Sequence, residues 1–180
     1  MQVLDPPILS ALMIFSTLLM VVGLRLAGRL ADSSPALRSW NLGASLWAVG
    51  VLLLAFREAM PEVLAIVAGN TCVIVGLVRI HIGLRQGNQL PVGTRWDRWL
   101  AAPLALVFGC FTLVEPMPAL RVSIFSTIVC ATGLSSSLLM LGMARKREGV
   151  ERRLLGFLGL TFLIFALFSA VRAGLGHRAL

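Results

Sequence analysis

Apolar residues in this chain come in long runs rather than in alternation. Six runs stand out, at 8–24, 40–56, 63–78, 99–114, 122–143 and 154–171, each bounded by arginine, proline or an acidic residue. A helix rises ~1.5 Å per residue, so a hydrocarbon layer of ~30 Å needs roughly 17–25 residues to cross. Four runs fall in or near that range. The third and fourth, at 16 residues each, are marginally short and need flanking residues to complete a crossing. Barrel strands would need alternation with period two over about ten residues, and none is present. The pattern therefore predicts an all-α, polytopic integral membrane helical bundle of about six transmembrane helices, forming a single module over 1–180.

Composition sharpens this reading. Hydrophobic residues make up 58% of the chain and charged residues 13%, with a mean hydropathy of +0.90. Such a chain is too apolar for disorder, and three cysteines are too few for a disulfide scaffold. An ordinary water-soluble core is excluded too, because 180 residues cannot hide this much apolar surface from water.

Charge then sets an orientation. Twelve of the sixteen basic residues fall in three of the breaks: Arg25, Arg29 and Arg38; Arg79, Arg85, Arg95 and Arg98; and Arg145, Lys146, Arg147, Arg152 and Arg153. The opposite side holds only Arg57, Arg121, Arg172 and Arg178. The eight acids divide evenly, so the net charge of +8 belongs to one face. Basic side chains in short loops resist translocation, which places that face in the cytoplasm and the N-terminus outside. With six spans the C-terminus is expected outside as well. The cations are thus accounted for as topology signals and contacts with anionic membrane lipids, and nucleic acid is not an expected partner. Trp96, Trp99 and Trp40 read as interfacial anchors. The leader through Pro6 and Pro7 lacks a basic n-region, so the first helix is expected to remain as an N-out anchor.

In lipid, helices associate through small residues and polar contacts. The fifth run carries such a stripe, Ser123, Ser126, Thr127, Cys130, Gly133 and Ser137. The sixth carries Ala166, Ala170 and Gly174, and the third Ala65 and Gly69. These stripes should face neighbouring helices. Asn70, mid-run in the third, should hydrogen-bond across a helix pair. The outer turns around Met60-Pro61 and Met117-Pro118 look alike, and aligning them brings Gly76 onto Gly133, a hint of repeated hairpins.

No motif names a reaction. The apolar runs contain no Asp, Glu, Lys or Arg, which counts against a proton antiporter or a voltage sensor. His81 and His177 fall near opposite faces and cannot ligate one haem iron. Cys72, Cys110 and Cys130 have no CxxC spacing and read as small packing residues. Ser–His–Asp sets, HExxH and phosphate loops are missing, so no catalytic, cofactor-binding or metal-binding residue is assigned.

One stretch points to a family. Trp47, Gly50, Leu52, Leu53, Arg57 and Pro61, followed by Asn70, Gly76 and Gly83-Leu84-Arg85, resembles the N-terminal multi-pass membrane sensor region of bacterial GGDEF-type diguanylate cyclases. The resemblance is best over 40–86. It implies a module of the bacterial inner (cytoplasmic) membrane that signals to a cytoplasmic domain making cyclic di-GMP. It also directs attention to Arg57, Pro61, Asn70 and Arg85, which join His81, a polar tip at the cytoplasmic end of the third run, as sensing or structural polar residues. The GGDEF signature itself is absent, so the expectation is a non-catalytic module, or a truncated form lacking a further helix and its output domain. Expected partners are membrane lipids, a second copy of the chain, or a cytoplasmic output domain. The competing expectation is a small integral membrane carrier or membrane-complex subunit for a neutral or lipid-like substrate.

Overall fold

The computed structural model describes residues 34–61, 63–92, 101–114 and 117–177, together with Phe15, Leu18, Leu19 and Val22. Among these residues every regular element is a helix. They are α1 (Pro35–Ala55), α2 (Leu64–Gly87), α3 (Ala101–Gly109 continued by Cys110–Val114), α4 (Pro118–Ala144) and α5 (Gly149–His177). Four of them, α1, α2, α4 and α5, are long and apolar enough to cross a membrane. Of the first expected span, Phe15, Leu18, Leu19 and Val22 are helical and exposed, and the remainder lies outside the described residues.

Helix ends depart from the expected ones for local reasons. The Ser34 hydroxyl accepts from the Leu37 N–H at 3.2 Å, and Pro35 needs no acceptor at the first helical position. α1 therefore starts before the apolar run does. α2 continues past Val78 through Arg79, His81 and Arg85, so it is 24 residues long and ~36 Å in length, not marginal at all. It begins with a π-helical stretch, Leu64–Ala68, just after Pro61, and α3 ends in another, Cys110–Val114. α5 starts at Gly149 and takes in Arg152 and Arg153, which the apolar pattern leaves in a loop. α3 remains short. Trp96 and Trp99 lie outside the described residues.

The chain divides into two compact units, Met1–Val114 and Glu115–Leu180. In the first, α1 and α2 form an antiparallel hairpin through the 3-10 turn Arg57–Ala59, and α3 packs against α2. The seam between α1 and α2 is made of glycine. A methyl group on Gly43 would lie 2.7 Å from the Gly76 carbonyl oxygen, and one on Gly50 would lie 2.7 Å from the Gly69 carbonyl oxygen. One on Gly83 would meet the Ala36 carbonyl oxygen at 2.9 Å. Ala36, Gly43 and Gly50 recur every seven residues on α1, as Gly69, Gly76 and Gly83 do on α2. Backbone packs directly on backbone, which is how helices gain dispersion energy where lipid removes the hydrophobic drive.

In the second unit α4 pairs with α5 across a tight turn at 145–148. Ser126, Gly133 and Ser137 of the expected stripe are buried, and Ser137 donates across the pair to the Gly159 carbonyl at 2.7 Å. Thr127 instead faces outward, its hydroxyl donating to the Ser123 carbonyl of its own helix at 2.8 Å. On α5 Ala166 is buried, whereas Ala170 is exposed; Gly159 and Ser169 complete the inner face. Ser45, Thr112, Thr132 and Thr161 also donate to carbonyls four residues back, the usual solution for a hydroxyl with no water nearby.

Candidate functional site

The five polar residues singled out from the sequence fall at different heights along the α1–α2 hairpin. Arg57 lies in the 3-10 turn and Pro61 just beyond it, after the extended Met60, both exposed. Asn70 is half-buried near the same end of α2, and no hydrogen bond of its side chain forms among the described residues. His81 and Arg85 sit four residues apart on one face of α2 near its far end, both half-buried. At ~1.5 Å per residue, Arg85 is about 22 Å along the helix from Asn70. These residues form two groups at opposite ends of one hairpin, not a single pocket.

The far end is the better built of the two. Gly87 ends the helix, Gln89 adopts φ 55°, and the chain reverses through two bonds, from the Gln89 N–H to the Gln86 carbonyl at 3.1 Å and from the Leu90 N–H to the Arg85 carbonyl at 3.0 Å. This is the Schellman arrangement, with glutamine in the left-handed position usually held by glycine. Asn88 Nδ2 donates to the Leu84 carbonyl at 2.6 Å. The Arg85 guanidinium closes the cap, donating from Nε at 3.1 Å and from Nη2 at 2.8 Å to the Pro91 carbonyl.

Two contacts tie this cap to α1. The Ser39 hydroxyl donates to Gln86 Oε1 at 2.7 Å, and the Trp40 indole lies where a side chain on Gly83 would otherwise stand. Trp40 is thus seated on α2 as well as near an expected interface. In the same register Arg38, two residues after Ala36, falls across from His81, two before Gly83. Arg38, Arg79 and Arg85 therefore gather cationic groups around His81 at one end of the hairpin. Sequence reasoning found His81 and Arg85, and read Trp40 only as an interfacial anchor, but did not find Ser39 or Gln86 beside them. Their signal, a serine and a glutamine at matching heights on two helices, has meaning only once the antiparallel register is known.

Among the described residues no group of three or more His, Cys, Asp or Glu side chains converges. Cys72 and Cys130 are half-buried in separate units, and Cys110 is exposed. Among the described residues the geometry offers hydrogen-bonding and cationic groups at a helix end, and no nucleophile–base pair. Compared with known proteins, the chain matches no family model, no curated sequence and no solved structure.

Proposed function

We propose that this chain is a non-catalytic membrane module of a bacterial signalling protein of the diguanylate cyclase type. It sits in the inner membrane with about six helices and its N-terminus outside, and its Arg-rich turns meet the cytoplasm. The observation that supports the reading is the glycine seam between α1 and α2, which lies within the 40–86 stretch that resembles such membrane regions. Closely packed elements shift between discrete arrangements and do not deform continuously. A lipid, small ligand or partner that prefers one arrangement of α1 against α2 would shift the population toward it. The capped end of the hairpin, with Arg85 holding the chain beyond α2, would carry that shift to an output domain or partner subunit.

The experiment is a comparison of cyclic di-GMP in the native host carrying the intact gene, a deletion and the Gly76→Leu variant, with membrane levels of the protein measured in parallel. The expected result is a changed cyclic di-GMP level in the deletion and the same change in the variant. An unchanged level in the deletion strain overturns the signalling reading and favours a carrier or complex subunit.

A further inference from the structure

The turn between α4 and α5 concentrates charge that the fold itself does not use. Residues 145–153 hold Arg145, Lys146, Arg147, Arg152 and Arg153 against Glu148 and Glu151, and all seven are exposed. Arg147 pairs with Glu151 at 3.5 Å on the helix surface. Among the described residues Arg145, Lys146, Arg152 and Arg153 have no acidic partner. The tight turn, with Gly149 at φ 62°, brings the two cationic pairs to the same end of the α4–α5 hairpin. Arg152 and Arg153 also lie in the first turns of α5, where the backbone dipole repels cations. Next to them stand apolar side chains with nothing to cover them. Val150 is 72% exposed, and Leu154 and Phe157 follow on α5.

We infer that this turn is a docking surface for the anionic phospholipid headgroups of one leaflet. The inference rests on the membrane reading of the chain. Cations at the phosphate level and Leu154 and Phe157 further along α5, among the acyl chains, match the layering of an anionic leaflet. A neutral leaflet satisfies the apolar half of the surface only. Lipid phosphates would complete the charge balance left open inside the hairpin and hold the turn at a fixed depth.

Trypsin reads this surface directly, because its cleavage sites are the residues concerned. The full chain is reconstituted into nanodiscs of phosphatidylcholine alone or with one third phosphatidylglycerol, and cleavage after Arg145, Lys146 and Arg147 is timed. Cleavage is expected to be on the order of tenfold slower in the anionic discs, with the difference fading as salt screens exposed charge. Arg152→Gln should shrink the difference, while Arg57→Gln, the same charge loss at another turn, should leave it intact. Circular dichroism shows whether each variant keeps its helices. Equal cleavage rates in both discs overturn the inference and leave the turn to a soluble acidic partner. Equal protection by inorganic phosphate in the neutral discs overturns it as well. Failure to enter either disc would overturn the membrane reading together with it.

Discussion

At the scale of single residues, the glycines differ sharply in what they tolerate. A methyl on Gly76 would lie 2.7 Å from both the Gly43 carbonyl oxygen and the Trp47 amide nitrogen, backbone atoms that cannot rotate away. Gly76→Ala is expected to destabilise the hairpin by about 1–3 kcal/mol, the usual cost of overpacking. Gly142 faces open space, so Gly142→Ala should be neutral or stabilising by up to ~1 kcal/mol through helix propensity. Thermal unfolding in detergent, followed by helical circular dichroism, separates the two; equal effects would contradict the seam. Gln89 makes the opposite case. Its φ of 55° is a conformation glycine adopts without strain, so Gln89→Gly should stabilise the end of α2 by roughly 1 kcal/mol. Hydrogen exchange at the Leu90 amide is the direct readout.

At the scale of helices, the bond from Ser137 to the Gly159 carbonyl joins α4 to α5. Ser137→Ala should loosen that pair by about 0.5–1.5 kcal/mol, the range for such bonds between membrane helices, whereas Thr127→Ala, which removes a hydroxyl bonded to its own helix, should change little. Comparative unfolding of the two variants decides it. The existence of these helices was legible in the apolar runs, but their ends were not. Arg79, Arg85, Arg152 and Arg153 read as boundaries because charge interrupts hydropathy, yet a helix backbone accepts arginine freely and stops only where caps or turns stop it. The small stripe on α4 was legible in part from its three- and four-residue spacing, since Ser126, Gly133 and Ser137 are buried while Thr127 faces outward. The heptad glycines of α1 and α2 were just as visible but carry meaning only as two mirrored series. Arg85 was named through the resemblance and His81 from its place near one face of the membrane; that four residues along a helix return them to one face shows only once α2 is known to run on to Gly87. Arg57 and Pro61 were grouped with them by resemblance alone, and the length of α2 keeps them apart.

For the whole molecule, the sorting of cations makes the sharpest prediction. Ala59 and Gln89 are both exposed and lie at opposite ends of the α1–α2 hairpin, and Lys146 is exposed in the α4–α5 turn. With Cys72, Cys110 and Cys130 replaced by alanine, a cysteine at Ala59 should react with an impermeant maleimide on intact spheroplasts. Cysteines at Gln89 and Lys146 should react only after permeabilisation, because their loops carry the arginines that resist translocation. The reverse pattern would invert the molecule, and with it the side on which any output must lie.

The glycine seam also has a consequence for register. Sliding α1 by seven residues, roughly 10 Å, would again oppose small residues, Ala36 to Gly76 and Gly43 to Gly69. Trp40 does not break this tie, since a glycine stands seven places before Gly83. The seam is therefore a ruler with repeating marks, and the slid alignment keeps two of its three close pairs. What singles out the observed alignment is the third pair, the turn at 56–61 and the Ser39–Gln86 bond. A chain lacking that bond would have only the turn and one extra close pair to choose between two settings of the same rail.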